Sequence, residues 1–220
     1  MKLIDNILNL IFPPKCPFCQ KVLDSAGICA ACDRELPWTS EADAVKTGSG
    51  DLRCAAPLWY EKKARDGLLR FKFQGGSGAA EPLGELVARC AAEHFGGEFD
   101  TVTWVPVSRR RLKQRGYDQA ELLARAACRC WDTKPVQLLR KVTDNAVQSE
   151  IHDAAARRAN VLGVYEAVNE EWIRGKCILL IDDICTTGAT LTECIRVLKD
   201  AGAESVVCAA AAHTRERKKT

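Results

Sequence analysis

The sequence predicts an α/β fold in which a parallel sheet is flanked by helices and preceded by a small module with four cysteines. The aliphatic residues 178–181 are typical of a central strand that is covered on both faces. A helical pattern follows them and ends at Gly202, where a left-handed cap is least strained. Strand and helix patterns also alternate along residues 53–142, as expected for an α/β domain.

The segment between that strand and that helix carries the most informative chemistry of the chain. It consists of Asp182 and Asp183, then Ile184, and then a loop of small and hydroxyl residues: Cys185, Thr186, Thr187, Gly188, Ala189 and Thr190. Ligands bind at the carboxyl ends of parallel strands, and the unpaired amides of a first helical turn favour a phosphate. An acidic pair alone would more often only cap or solvate a strand end. The whole run predicts a site for a phosphorylated sugar, with the carboxylates facing sugar hydroxyls or a hard metal ion.

Length and composition limit the remaining possibilities. The chain has 220 residues, of which 47% are hydrophobic, so it can bury one substantial core with a small appendage. A net charge of +3 neither requires nor excludes a nucleic-acid partner. No apolar run approaches the roughly 18 residues that span a bilayer, so we expect no membrane span. Residues 2–12 predict an amphipathic helix that packs on the body or on the zinc module, or else contacts a membrane surface or a partner.

Four of the twelve cysteines form a metal-binding pattern. Cys16, Cys19, Cys29 and Cys32 are spaced C-x2-C-x9-C-x2-C, which supplies the four thiolates of a structural zinc site. A redox dithiol and an iron–sulfur cluster are the alternatives. The other cysteines are expected to be small buried hydrophobes, which suits a cytoplasmic protein.

The composition also suggests domain boundaries. We expect the amphipathic helix and zinc module over residues 1–38, a linker over 39–52 that contains a Gly-Ser-Gly, and the α/β domain over 53–220.

A basic segment follows another predicted strand, at residues 101–107. Residues 108–119 are predicted to form a loop that begins Ser108, Arg109, Arg110, Arg111, and five of the seven residues 109–115 are cationic. Such a run is usually a solvated face, but its position after a parallel strand favours contact with an anion. A further strand is predicted at 135–142. The polar segment 143–160 that follows has the length of a functional lid or of a disordered excursion.

The segment 178–190 resembles the 5-phosphoribosyl-1-pyrophosphate (PRPP) signature of type I phosphoribosyltransferases. Together with the cysteine pairs, the segments 69–75, 105–112, 115–120, 148–149 and 157–161 make the whole chain similar to the ComF family. These competence-associated proteins join a four-cysteine zinc module to a phosphoribosyltransferase-like domain. The resemblance implies that Asp182 and Asp183 bind the ribose hydroxyls and that residues 185–190 wrap the 5′-phosphate.

The resemblance also assigns the basic and polar segments. It implies that residues 108–111 bind pyrophosphate and that 143–158 form the flexible catalytic loop, whose closure brings Arg157 or Arg158 to the pyrophosphate. Magnesium is expected with PRPP, because it binds through phosphate oxygens. The chain departs from the family at Asp118, where Asn is more usual and where we expect weaker anion binding, and at Cys185, where we expect little steric change.

Three functional hypotheses remain open from the sequence. The first is an enzyme that transfers phosphoribose or hydrolyses PRPP, with an acceptor that the sequence does not identify. The second is an accessory to DNA uptake that binds single-stranded DNA or the uptake machinery. The third is a PRPP-responsive regulator built on the same fold.

Overall fold

The computed structural model describes residues 13–73, 77–143 and 163–215. Its strands are β1 (Val45–Thr47), β2 (Arg53–Ala55), β3 (Leu58–Trp59), β4 (Thr101–Trp104), β5 (Leu139–Lys141), β6 (Tyr165–Ala167), β7 (Cys177–Cys185) and β8 (Ser205–His213). Its α-helices are α1 (Ala30–Glu35), α2 (Lys62–Phe73), α3 (Ala80–Phe95), α4 (Arg109–Arg115), α5 (Gln119–Cys130) and α6 (Ala189–Asp200). Short 3-10 helices cover Glu41–Asp43, Ser77–Ala79 and Glu170–Trp172.

A six-stranded sheet forms the centre of the fold. Its order is β1-β2-β8-β7-β4, and β3 also pairs with β8. All pairs are parallel except β1 with β2. The parallel sheet with flanking helices confirms the predicted fold class.

Alternation of side chains along β7 explains why this strand is apolar on both faces. Leu179 and Ile181 pack in the core cluster that includes α3 and α5, whereas Ile178 and Leu180 pack in the cluster that includes α6. All four side chains are fully buried. A strand covered on both faces reads as a continuous aliphatic run, which is why the sequence predicted it.

Several elements differ from the sequence prediction. The strand predicted at 101–107 is β4, which ends at Trp104. The strand predicted at 135–142 is only β5, and it pairs antiparallel with β6 in a separate two-stranded sheet. The basic segment predicted as a loop forms α4, which begins after the capping residue Ser108 and ends at Gly116, whose φ is 82°. A hydroxyl N-cap and a left-handed glycine are the usual helix boundaries, and they stabilise this helix despite its charge.

The segment predicted as a linker, 39–52, is attached to the sheet. It contains the 3-10 helix Glu41–Asp43 and β1, which pairs with β2 in the register Val45↔Ala55. Leu52 is buried with 2% of its surface exposed. The chain therefore passes from the zinc module to the α/β domain through ordered structure.

Within the described ranges, no helix is both long and apolar enough to cross a bilayer. The predicted amphipathic helix at 2–12 lies outside the described residues.

Candidate functional site

The acidic pair lies at the carboxyl end of the central strand. Asp182 and Asp183 belong to β7 itself and do not follow it as predicted, because β8 is equally long and continues to pair with β7 as far as Cys185↔His213. Both carboxylates are half-buried. The Asp182 Oδ1 atom accepts a hydrogen bond of 2.8 Å from the backbone N–H of Asp183.

Lys72, the penultimate residue of α2, forms an ion pair with this site. Its Nζ atom lies 2.8 Å from Asp183 Oδ2, and the Lys72 and Asp183 side chains are only 26% and 13% exposed. A contact this well shielded is screened less by salt than a surface ion pair is.

The two carboxyl groups differ in their pKa. Burial, together with the adjacent Asp183 carboxylate, raises the pKa of Asp182 well above its usual value. Burial acts on Asp183 in the same direction, but the Lys72 ammonium offsets it and lowers the pKa of Asp183 below its usual value. Two carboxylates this close resist being charged together, so one stays ionised and the other takes up a proton more readily. Asp183 can therefore accept hydrogen bonds from the hydroxyl groups of a ligand. Asp182 can accept such a bond when it is ionised and donate one when it is protonated.

The predicted phosphate loop connects β7 to α6. Its residues are Thr186, Thr187 and Gly188, and α6 begins at Ala189. The Ala189 N–H donates to Thr187 Oγ1 over 3.4 Å, and the Thr187 side chain is exposed. The loop therefore presents hydroxyl groups and the first amides of a twelve-residue helix at the same sheet edge as the acidic pair.

Cys185 contributes to this loop differently from its neighbours. Its side chain is 2% exposed and packs in the core cluster beside α6. Its carbonyl accepts a hydrogen bond of 3.1 Å from the Thr214 N–H. The side chain is therefore directed into the core, which agrees with the expected small steric effect of this departure from the family.

A second lysine holds the outer side of the loop. Lys46 Nζ donates to the carbonyl oxygens of Thr186, over 2.8 Å, and of Thr214, over 3.2 Å. The Thr214 hydroxyl also donates to the Thr186 carbonyl over 3.1 Å. Because Lys46 belongs to β1, the segment predicted as a linker helps to fix the loop conformation.

Gly188 is required by both its backbone and its surroundings. Its φ is 79°, and a Cβ atom placed on it would lie 2.2 Å from Leu52 Cδ2. Gly175 has a similar φ of 67°, but a Cβ atom there would meet nothing within 4 Å. Alanine substitutions at the two glycines therefore distinguish the effect of backbone strain from the effect of steric overlap.

We therefore expect Gly188→Ala to destabilise the protein more than Gly175→Ala does. The strained backbone costs on the order of 1 kcal/mol in each variant, and overlap with Leu52 adds a comparable amount at Gly188 alone. Urea denaturation of the two variants measures the difference. Equal free energies of unfolding would contradict the steric role of Leu52.

The basic helix α4 starts beside the acidic pair. Its preceding segment leaves β4 next to β7, where the Val105 N–H donates to the Ile181 carbonyl over 2.9 Å. Ser108 is buried, and its Oγ atom accepts a bond of 3.3 Å from the Arg111 N–H. Arg109 and Arg110 are exposed and Arg111 is half-buried. The fold thus brings the predicted pyrophosphate-binding residues to the sheet edge that carries the acidic pair.

The Asp118 carboxylate accepts hydrogen bonds from backbone N–H groups. It is 7% exposed; its Oδ2 atom accepts from the Val107 N–H over 2.9 Å, and its Oδ1 atom accepts from the Ala120 and Glu121 N–H groups over 3.1 and 3.3 Å. Burial raises the pKa of Asp118 to about 6, against these hydrogen bonds. The carboxylate caps α5 and ties it to the segment before α4. These contacts are structural, and the expected weakening of anion binding, which rests on the charge of Asp118, stays a prediction.

Two predicted site residues lie outside the described residues, and two lysines of the site were not predicted. Arg157 and Arg158 are outside the described residues, so their predicted approach to pyrophosphate stays a prediction. Sequence reasoning gave no role to Lys46 or Lys72. Lys72 could have been found as a cation within the family-like segment 69–75 at the end of a predicted helix, whereas nothing local marks Lys46.

The four-cysteine cluster has the geometry of a structural zinc site. The sulfur atoms of Cys16, Cys19, Cys29 and Cys32 all lie within 4.8 Å of one another. The Cys19 and Cys29 sulfurs are 3.6 Å apart, close to the separation of about 3.8 Å that tetrahedral Zn–S bonds of 2.3 Å require.

A backbone hydrogen bond in the cluster favours a thiolate at Cys29. The Cys32 N–H donates to Cys29 Sγ over 3.4 Å, and this hydrogen bond lowers the pKa of Cys29 to about 7, whereas burial raises the pKa of Cys32. Four sulfurs fill a tetrahedral coordination sphere and leave no position for water, so the site fits a structural zinc and not a catalytic one.

Comparison with known proteins agrees with both parts of the structure. The phosphoribosyl transferase domain family matches residues 85–220, and the double zinc ribbon domain matches residues 7–45. Competence protein F of Haemophilus influenzae is 26% identical over 204 residues, which cover 87% of this chain and 86% of that protein. Competence protein ComFC of Streptococcus pneumoniae is 27% identical over 202 residues, covering 92% and 82%. DNA utilization protein YhgH of Escherichia coli O157:H7 is 30% identical over 111 residues, covering 49% and 46%. This chain belongs to the phosphoribosyl transferase domain family and has the ComF arrangement, in which a double zinc ribbon precedes that domain.

Proposed function

We propose that the protein binds PRPP at the carboxyl-terminal ends of its parallel strands and acts in DNA uptake during natural competence. The observation that carries the proposal is the meeting of three features at one sheet edge: the acidic pair, the phosphate loop and the basic helix α4. The names of the relatives, two competence proteins and a DNA utilization protein, support the link to DNA uptake.

Each part of PRPP has a complementary group in this arrangement. The ribose hydroxyls would donate to Asp182 and Asp183, and the 5′-phosphate would accept from the hydroxyl and amide groups of residues 186–190. Cations of α4 would contact the pyrophosphate, because the charge that develops on this leaving group needs positive partners.

Magnesium fits the same site. Phosphate oxygens and the acidic pair are the hard ligands that it prefers, and it would neutralise the pyrophosphate charge. We propose that Arg157 or Arg158 adds to this charge when residues 143–158 close.

Transfer of the phosphoribosyl group to an acceptor would make the protein an enzyme. We propose PRPP binding as the primary property, with transfer or hydrolysis as the activity if the site is catalytically competent. The alternative is that PRPP binds the same site and regulates the protein without being converted. We also propose a cytoplasmic location, which twelve cysteines without a disulfide bond favour.

One observation favours direct binding of single-stranded DNA as a second function. The Phe73 ring is 61% exposed, and the Arg115 guanidinium lies 4.9 Å from its centroid. Exposed aromatic rings beside cations are the usual stacking surface for unpaired bases. Tyr117 is the aromatic residue that the sequence places near α4, and the fold adds Phe73. A DNA strand would then share the cations of α4 with PRPP.

Parallel titrations of PRPP and a labelled oligonucleotide test these functions. In an Arg109→Ala, Arg111→Ala variant we expect PRPP affinity to fall about tenfold or more, because cationic partners of the pyrophosphate are lost. With a shared surface, oligonucleotide affinity should also fall, and the slope of log K against log salt should flatten by about 0.7 for each lost phosphate contact.

The matched control removes two arginines from another exposed surface. Arg125 and Arg129 on α5 are both 58% exposed and can be replaced by alanine with the same change in charge. Equal losses in the two variants would reveal a non-specific charge effect. If PRPP and the oligonucleotide bind together without competition, and the α4 variant weakens only one of them, the surface is not shared.

A further inference from the structure

We propose that Lys72 is a positioning residue for PRPP binding, and that the zinc module holds Lys72 in place through α2. The inference rests on the proposed function, since its ligand is PRPP. The zinc module would then help to shape the sugar-binding site, whether or not it also contacts a ligand itself.

The carboxyl-terminal end of α2 is fixed on the acidic pair. Besides the ion pair of Lys72 with Asp183, two backbone carbonyls of the last turn have side-chain partners. The Tyr117 hydroxyl donates to the Phe71 carbonyl, and Gln119 Nε2 donates to the Lys72 carbonyl over 3.4 Å. These bonds satisfy groups that a helix end leaves unpaired, so the helix end has a defined position.

The middle of α2 is fixed on the zinc module. A Cβ atom at Gly67 would lie 2.7 Å from the Phe18 ring and 3.0 Å from the Pro17 carbonyl oxygen, so only glycine permits this approach. Arg70 Nη2 donates to the Phe18 carbonyl over 2.6 Å. Residues 17 and 18 lie between the first two zinc-site cysteines, so α2 contacts a loop whose shape the metal determines.

Lys63 adds a third contact on the same side of the helix. Its ammonium group pairs with Glu35 in α1, the helix that carries Cys32. Both halves of the four-cysteine cluster therefore contact α2.

A single rigid helix connects these two regions. Gly67 and Lys72 are five residues apart, which is about 7.5 Å along an α-helix. A shift of the zinc module would therefore move the Lys72 ammonium relative to Asp183. Because the ion pair depends on distance, a small displacement would weaken its hold on the carboxylate.

The ion pair matters for the ligand because PRPP is strongly anionic. Without Lys72, two adjacent half-buried carboxylates would face the sugar with less compensating charge, and Asp183 would be less firmly ionised and oriented. An ordinary structural ion pair would instead affect folding and leave the affinity of the folded protein unchanged.

Calorimetric titration of Mg–PRPP into a set of folded variants distinguishes these roles. We expect Lys72→Met to weaken binding at least tenfold and Lys72→Arg to restore it to within about threefold of wild type, because arginine keeps the cation. Lys62→Met is the control: Lys62 is exposed at the other end of α2 and gives the same change in charge. It should leave the affinity unchanged.

A double-mutant cycle tests the route through the zinc module. We expect Arg70→Met to weaken PRPP binding several-fold in the wild-type background and not at all in the Lys72→Met background, because the Arg70 change acts only by displacing the Lys72 ammonium from Asp183. If Arg70→Met proves too unstable, Lys63→Met loosens the same docking at an exposed position. Circular dichroism establishes that each variant is folded.

The outcomes separate this inference from the proposed function. Wild-type affinity in Lys72→Met, or a loss that Lys72→Arg does not restore, overturns the role of Lys72. Additive effects of Arg70→Met and Lys72→Met overturn the route through α2. Absence of PRPP binding by the wild-type protein overturns the proposed function, and this inference with it.

Discussion

Replacing Asp182 and Asp183 together by asparagine is expected to abolish measurable PRPP binding while the protein remains folded. Asparagine keeps the size of the side chain but cannot supply an anionic acceptor to the ribose hydroxyls or to magnesium. Hydrogen bonds to charged groups contribute about 1.5–3 kcal/mol each, so the loss of two should reduce the affinity by on the order of 100-fold or more. Isothermal titration calorimetry with Mg–PRPP measures it.

The control for this variant removes two adjacent acidic residues elsewhere. Glu170 and Glu171 are both exposed and lie in a 3-10 helix. Changing both to glutamine alters the net charge by the same amount and should leave PRPP affinity unchanged. Unchanged affinity in the aspartate variant, with its fold intact by circular dichroism, would remove the acidic pair from the proposed site.

Replacing Cys16 and Cys19 together by serine is expected to release the zinc and unfold the amino-terminal module. A module of this size buries too little apolar surface to be stable alone, and metal binding supplies much of its folding free energy. The wild-type protein should release about one zinc per chain on denaturation, and the variant close to none. A colorimetric zinc assay after denaturation measures both.

Cys130 and Cys177 provide the matched control for the zinc experiment. Both are outside the cluster and neither is buried. Their joint replacement by serine should leave the zinc content unchanged. Zinc retained by the Cys16, Cys19 variant, or the visible absorbance of an iron–sulfur cluster in the wild type, would contradict the assignment.

The parts of the fold that depend on local patterns were predictable from the sequence. The aliphatic run of β7, the helix after it and the two cysteine pairs each show their structural role within a few residues. The ends of α4 were also visible, in Ser108 and Gly116, although this strongly basic segment was predicted as a loop. Helix capping outweighs that charge because Arg109 and Arg110 are exposed to solvent and Arg115 lies over the Phe73 ring.

The features that depend on distant pairing were not predictable. The carboxylates belong to β7 because β8, more than twenty residues later in the chain, extends alongside them. The segment 135–142 yields only the short β5 because its partner β6 lies outside the main sheet. Lys46 and Lys72 join the site from separate elements, and no local pattern reports such contacts.

The attachment of α2 and β1 to the site limits how the zinc ribbon can be exchanged for that of a relative. The zinc ribbon match ends at residue 45 and the phosphoribosyl transferase match begins at residue 85, so the segment 46–84 belongs to neither family description. Yet that segment supplies Lys46, Leu52 and Lys72 to the site. A chimera that carries the zinc ribbon of a relative would therefore preserve the site only if the new ribbon offers α2 the contacts that Pro17 and Phe18 make here. The two matched domains are structurally coupled, because residues between them contact both the zinc module and the site.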